Sequence, residues 1–158
     1  TSEKAVALFE KFGIYTKAEL ESREEIIYET YAKTINIEAL TMIDMAGKQI
    51  IPAVVKYTKT LADTANAIKA AGGDASVQTE LLADVSTKLA AMQKELNKLV
   101  ADEKEASAME DVKAQAFFYK DTIKATMDEL RKPADELEMI VDKDVWPIPT
   151  YGELMFEV

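Results

Sequence analysis

The residue types that most often carry chemistry are scarce in this sequence of 158 residues. It contains no His and no Cys, so the commonest general base, the commonest metal ligand and every thiolate site are missing. Ser and Thr are present, but without His or Cys they form no nucleophile–base pair of the familiar kinds. What remains is a large set of carboxylates, 29 acidic against 19 basic side chains.

The carboxylates invite comparison with metal sites inside helical bundles. Such sites combine Glu side chains with Glu-x-x-His pairs on facing helices, and without His this pattern cannot be assembled. Glu38 and Asp44 are the acids expected to face inward, and pairing along the helix surface explains them better. Asp142 and Asp144 lack the glycine and the distal Glu of a calcium-binding loop. We therefore predict no metal site in this chain.

Two further features are compatible with ligand binding but have a simpler structural interpretation. Gly72-Gly73 is too short to cradle a phosphate, and it follows a predicted helix rather than a strand, so it is not a P-loop. Six aromatic residues at helical spacing are more typical of a core than of a pocket: Tyr28, Tyr31, Tyr57, Phe117, Phe118 and Tyr119. The residues alone therefore supply no catalytic and no cofactor-binding group.

The charge and hydropathy of the chain argue against two classes of partner. A net charge of −10 repels phosphate backbones and anionic lipid, so we expect no nucleic acid and no membrane partner. The longest apolar stretch is interrupted by Glu38, Asp44 and Lys48 and cannot span a bilayer. No signal peptide is visible, and we expect a cytoplasmic protein.

The composition predicts an all-α fold in a single domain over residues 1–158. Gly and Pro are few, at 5 and 4, and the common residues are helix formers. We predict a bundle of three long antiparallel helices, with kinks near Pro52 and Pro133, or a restart of the third helix at Pro133. The predicted elements are a short helix over 1–13, long helices over 16–71, 76–106 and 108–142, and an extended tail over 145–158.

The stretch from Lys33 to Tyr57 is predicted to be the central helix, because it carries two apolar stripes. The first consists of Ile35, Ala39, Met42, Ala46, Ile50, Val54 and Tyr57. The second consists of Ile37, Leu40, Ile43, Gly47, Ile51 and Val55. A helix that is apolar over most of its circumference must be covered on more than one side. We therefore expect both stripes to be packed against other helices and Ile43 to be buried.

Local signals mark the ends of these helices. Thr16 and Glu19 form a candidate capping box, with Ser22 expected inside the helix. Gly72 suits the left-handed position that ends a helix. The next helix carries a heptad pattern, here called the heptad seam: Leu82, Val85, Leu89, Met92, Leu96 and Leu99. The seam predicts either a long antiparallel partner within the chain or a short coiled coil.

The last segment changes character and holds two prolines, Pro147 and Pro149, which favour an extended course. Its large apolar side chains are unlikely to be left in water. We expect Trp146 to pack on the bundle because it lies close behind the third helix. We expect residues 154–156, which can swing further, to contact an external partner.

Three stretches carry a resemblance to a known family. They are KTINIEALTMIDMAGKQIIPAVVKYTKTLADT (33–64), DASVQTELL (74–82) and DKDVWPIPTYGELMFEV (142–158). They resemble the C-terminal region of type III glutamine synthetases, the long bacterial forms of the enzyme, and FGIYTKAELESREEI (12–26) fits the same region.

The resemblance implies that this chain is a non-catalytic C-terminal domain of a longer enzyme. The family makes glutamine from glutamate and ammonia with ATP and a divalent metal such as Mg, and it works as large rings. Its catalytic residues lie upstream, and no position here matches them. The implied partners are the catalytic domain of the same polypeptide and further copies of the chain, with a role in assembly, interface formation or regulation. The alternative is a free-standing helical coiled-coil module.

Overall fold

A computed structural model describes residues 1–149 and 151–156, and every regular element among them is helical. The helices are α1 (Glu3–Lys11), α2 (Lys17–Met45), α3 (Ile51–Ala70), α4 (Ser76–Ser107), α5 (Val112–Phe118), α6 (Lys124–Glu138) and α7 (Tyr151–Phe156). Five-residue π-helical turns join α2 to α3 (Ala46–Ile50) and α5 to α6 (Tyr119–Ile123). The turns therefore produce two continuous helical runs, one of 54 residues from α2 to α3 and one of 27 residues from α5 to α6. The all-α class predicted from the composition is confirmed.

The start of α2 is fixed by the predicted capping box. The Glu19 backbone N–H donates to the Thr16 hydroxyl oxygen at 3.3 Å, and the Thr16 N–H donates to the Glu19 carboxylate at 2.7 Å. Donation from the Thr16 backbone stabilises the charged carboxylate and so lowers the pKa of Glu19 below its usual value. Two of the four N–H groups that a helix start leaves unpaired are thereby satisfied.

Glycine ends the central helix as predicted. Gly72 has a φ of +78°, a left-handed conformation that other residues rarely adopt. Its N–H donates to the Lys69 carbonyl, and the Gly73 N–H donates to the Ile68 carbonyl. This pair of bonds is a Schellman motif, which satisfies the last carbonyls of α3 and turns the chain toward α4.

Neither proline breaks its helix. Pro52 lies in the first turn of α3, directly after the π-helical turn, in which the Ile51 N–H reaches back to the Ala46 carbonyl. Because proline lacks an N–H and its ring crowds the preceding turn, a widened turn there accommodates it. Pro133 is buried inside α6, so the third long helix does not restart there. The second π-helical turn has no proline beside it.

The core lies along the first apolar stripe. Five of its residues are buried, and Met42 and Tyr57 are half-buried against the same cluster. α4 packs against α3 and α6, and α2 packs against α5. Val85, Met92, Leu96 and Leu99 of the heptad seam are buried in this cluster. The seam is therefore used within the chain, and the alternative of a coiled coil with a second copy through this seam is wrong.

Tyr119 is the largest fully buried side chain and also makes a polar link between helices. It is 2% exposed, and its hydroxyl accepts a hydrogen bond from Asn36 Nδ2 at 2.7 Å. Asn36 donates as well to the Glu103 carboxylate at 3.0 Å. The link joins α2, α4 and the second π-helical turn. Of the six aromatic residues predicted to be core, Phe117 alone is exposed.

The tail departs from the extended course that was predicted. Residues 147–149 are not helical, but α7 begins at Tyr151, two residues after the second proline. This is possible because a proline restricts only its own residue and the one before it. Trp146 is 8% exposed and belongs to the core cluster, which confirms that it packs on the bundle. Thr150, Glu157, Val158 and the side chain of Tyr151 lie outside the described residues.

Candidate docking surfaces

The second apolar stripe of the central helix is largely uncovered, contrary to the prediction. Ile37 is 66% exposed, Leu40 46% and Val55 51%, and these three residues are here called the exposed stripe. Ile43 and Ile51 beside them are half-buried against the core, so Ile43 is not the buried residue that was expected. The other helices of the chain pack mainly on the first stripe, which leaves Ile37, Leu40 and Val55 largely exposed.

Gly47 lies on the same side of the helix, inside the first π-helical turn. A glycine on an apolar stripe can admit a second helix at close range, because it has no side chain. A Cβ added there would meet only the Leu96 side chain, at an ordinary van der Waals distance of 3.7 Å. Within the described residues, then, no helix approaches closely enough to require this glycine.

A second apolar surface is a groove of about 530 Å³ between α2 and α6, here called the methionine groove. Met42, Met45, Met92 and Met127 all contribute to it. Its full lining is Ile37, Glu38, Thr41, Met42, Met45, Ala46, Ile50, Met92, Met127, Leu130, Arg131, Ala134, Asp135, Glu138, Ile148, Pro149 and Leu154. Sequence reasoning missed this groove because its lining comes from several separate segments, none of which has a distinctive motif.

The rim of the methionine groove is acidic. It carries three carboxylates, of Glu38, Asp135 and Glu138, and one base, Arg131. The Arg131 Nε donates to Asp135 at 3.2 Å. Glu38 and Glu138 stand on opposite helices, and neither forms an ion pair with any other residue that the structure describes.

Helix α7 stands at the edge of the groove without closing it. Leu154 contributes to the lining, yet 68% of its surface is exposed. Met155 and Phe156 are more exposed still. Met139, just after α6, is also exposed and lies outside the groove lining.

Nothing in the described part of the chain resembles a catalytic or metal centre. No group of three or more acidic side chains is close enough to hold a metal ion within residues 1–149 and 151–156. Asp44 is exposed and pairs with Lys48 along the helix, as predicted. The Asp142 carboxylate accepts the Asp144 N–H at 2.9 Å, which is a local turn contact. Over the same described ranges, no helix is long and apolar enough to cross a bilayer.

Comparison with known proteins shows that this helical chain is similar to part of a class of enzymes. Residues 1–69 match the family model of the glutamine synthetase C-terminal domain. The whole chain is similar to a glutamine synthetase of Butyrivibrio fibrisolvens (38% identity, 99% of this chain, 23% of the relative) and to the type-3 glutamine synthetase of Dictyostelium discoideum (32%, 98%, 22%). A glutamine synthetase of Bacteroides fragilis (strain YCH46) is 28% identical over 97% of this chain and 22% of its own length.

The chain is therefore similar along its whole length to the C-terminal part of glutamine synthetases. The resemblance to type III enzymes that the sequence suggested is confirmed. The chain spans less than a quarter of the length of the relatives it matches.

Proposed function

We propose that this chain is the non-catalytic C-terminal domain of a glutamine synthetase and that it acts in assembly. In this proposal the exposed stripe docks on the rest of the same polypeptide. The observation that carries it is the exposure of Ile37 and Leu40 on α2 and of Val55 on α3, which together belong to the 54-residue helical run. Completing the burial of one such side chain contributes on the order of 1–2 kcal/mol, so three of them on one helical run favour a fixed contact.

The length of the relatives supports this choice of partner. This chain matches 22–23% of each relative, so a polypeptide of their kind has a large further part tethered to it. Tethering raises the local concentration of that part far above that of any separate protein. A docking surface on the domain would therefore bind the tethered part of its own polypeptide in preference to a separate protein.

The activity itself is proposed for that further part. There, by family resemblance, glutamate and ammonia would be joined with ATP and Mg, in a cytoplasmic, ring-shaped homo-oligomer. No residue of this chain is assigned to ATP, metal, nucleic acid or membrane. We infer further that the three helical runs form an antiparallel bundle, because the links over 71–75 and 108–111 are short and short links favour antiparallel neighbours.

The proposal is tested by placing a charge on the exposed stripe of the complete polypeptide. Leu40→Glu and Val55→Glu should weaken assembly, because a buried unpaired carboxylate is costly at an apolar contact. Native mass spectrometry and the rate of glutamine synthesis are the measurements. We expect smaller assemblies and lower activity, although no catalytic group has been changed.

Ala91→Glu is the matched control, since Ala91 is exposed on α4 and away from the stripe. It should leave assembly and activity unchanged. Circular dichroism of the isolated chain should be the same for all three variants. A fully active, intact oligomer in both stripe variants would refute the assembly role.

A further inference from the structure

We infer that the methionine groove is a docking site for an amphipathic helix with basic flanking residues, supplied by another protein segment. The groove shares Ile37 with the exposed stripe but does not include Leu40 or Val55, and the inference does not depend on the assembly role. It rests on the dimensions of the groove, on the methionine side chains of its floor, which can repack, and on the acidic residues of its rim.

The groove is long enough to hold one helix of about four turns. Its α2 side runs from Ile37 along α2 and the first π-helical turn to Ile50, and its α6 side runs from Met127 to Glu138. At 1.5 Å per residue the α2 side is about 20 Å long, or roughly four turns of an occupant helix. Helices bind such grooves through apolar anchors spaced three and four residues apart.

The floor of the groove is apolar and adaptable. Met92 is fully buried beneath it, while Met42, Met45 and Met127 are half-buried around it. Methionine is unbranched and polarisable, so it can repack against anchors of different shapes. This favours side chains such as Leu or Phe on the occupant rather than one rigid ligand.

The rim selects the charge of the occupant. Glu38 on α2 and Glu138 on α6 flank the apolar floor and have no ion-pair partner in the described part of the chain. The only base of the lining, Arg131, is bonded to Asp135. Lys or Arg on both edges of an occupant helix would pair with Glu38 and Glu138, and the net charge of −10 would speed its approach. An acidic helix would be repelled.

The test uses a synthetic fluorescein-labelled peptide of about 14 residues, with Leu at helical i, i+3, i+4 and i+7 spacing and Lys elsewhere. Two matched peptides serve as probes of specificity: one has Glu in place of every Lys, and one has the same composition in scrambled order. Binding to the purified chain is measured by fluorescence anisotropy. We expect the Lys peptide to bind and the other two to bind at least about tenfold more weakly.

Variants then locate the site. Met127→Glu should weaken binding of the Lys peptide about tenfold or more, whereas Met139→Glu, outside the groove, should have no effect. Because Met127→Glu could disturb folding, the double variant Glu38→Lys/Glu138→Lys gives an independent answer. It should weaken binding of the Lys peptide and strengthen binding of the Glu peptide.

Three results would overturn the inference: no binding of the Lys peptide, equal binding of the scrambled or Glu peptide, or equal effects of Met127→Glu and Met139→Glu. Concentration-dependent dimerisation that Met127→Glu abolishes would also overturn it, because the occupant would then be a second copy. Leu40→Glu should leave peptide binding unchanged, so failure of this inference and failure of the assembly role are separate results.

Discussion

Replacing Tyr119 by Ala should destabilise the chain more than any other single change considered, by about 3–5 kcal/mol. Its ring is fully enclosed, so the substitution leaves a large cavity in a core that cannot collapse to fill it. The same change leaves Asn36 without the hydroxyl that it contacts at 2.7 Å. For a domain of this size the thermal midpoint should fall by roughly 6–20 °C, measured by circular dichroism.

Tyr119→Phe separates the two contributions, because it keeps the ring and removes only the hydroxyl. It should cost about 1 kcal/mol, the net worth of one hydrogen bond. Phe117→Ala is the matched surface control, since Phe117 is exposed two residues earlier. If Tyr119→Ala and Phe117→Ala shifted the midpoint equally, the second π-helical turn would not be placed as described.

Leu99→Ala should lower the free energy of unfolding by about 2–5 kcal/mol. Leu99 is fully buried in the heptad seam, within the cluster that joins α4 to the other long helices. Because those contacts lie within one chain, the loss should not depend on protein concentration. Urea unfolding at two widely separated concentrations is the measurement.

Val100 is the matched control, as it follows Leu99 directly and is exposed. Val100→Ala should change the free energy of unfolding by less than about half a kcal/mol. A midpoint that rises with protein concentration would show that the seam is completed by a second copy, which is the coiled-coil arrangement that the fold excludes.

Periodicity and capping chemistry were enough to predict most of the helices. Thr16, Glu19 and Gly72 act through contacts within a few residues, so their roles can be read locally. The first π-helical turn had a signal in Pro52, although only a kink was predicted. The second begins at Tyr119, and it could not be predicted because its hydrogen bonds need no special residue type.

The docking surfaces were harder to predict, because they depend on what the chain does not cover. The residue pattern of the second stripe predicts a buried face. The reasoning that an apolar stripe must be buried is sound for a complete protein. It fails for Ile37, Leu40 and Val55 because the other helices of this chain pack mainly against the first stripe of the central helix. The methionine groove joins residues that are far apart in sequence, and only the packing of α2, α4 and α6 brings them together.

The central claim is that the exposed stripe is covered in the complete polypeptide, and thiol labelling at Leu40 tests it most directly. The chain contains no Cys, so Leu40→Cys introduces a unique reporter within it, and Ala91→Cys reports on a surface that should stay open. Maleimide labelling of each position is followed by peptide mass spectrometry, in the isolated chain and in the complete polypeptide. We predict that Leu40→Cys is labelled at least about tenfold more slowly in the complete polypeptide, equivalent to about 1.4 kcal/mol of protection, and that the rate at Ala91→Cys is unchanged. Equal rates at Leu40→Cys in the two proteins would contradict the account.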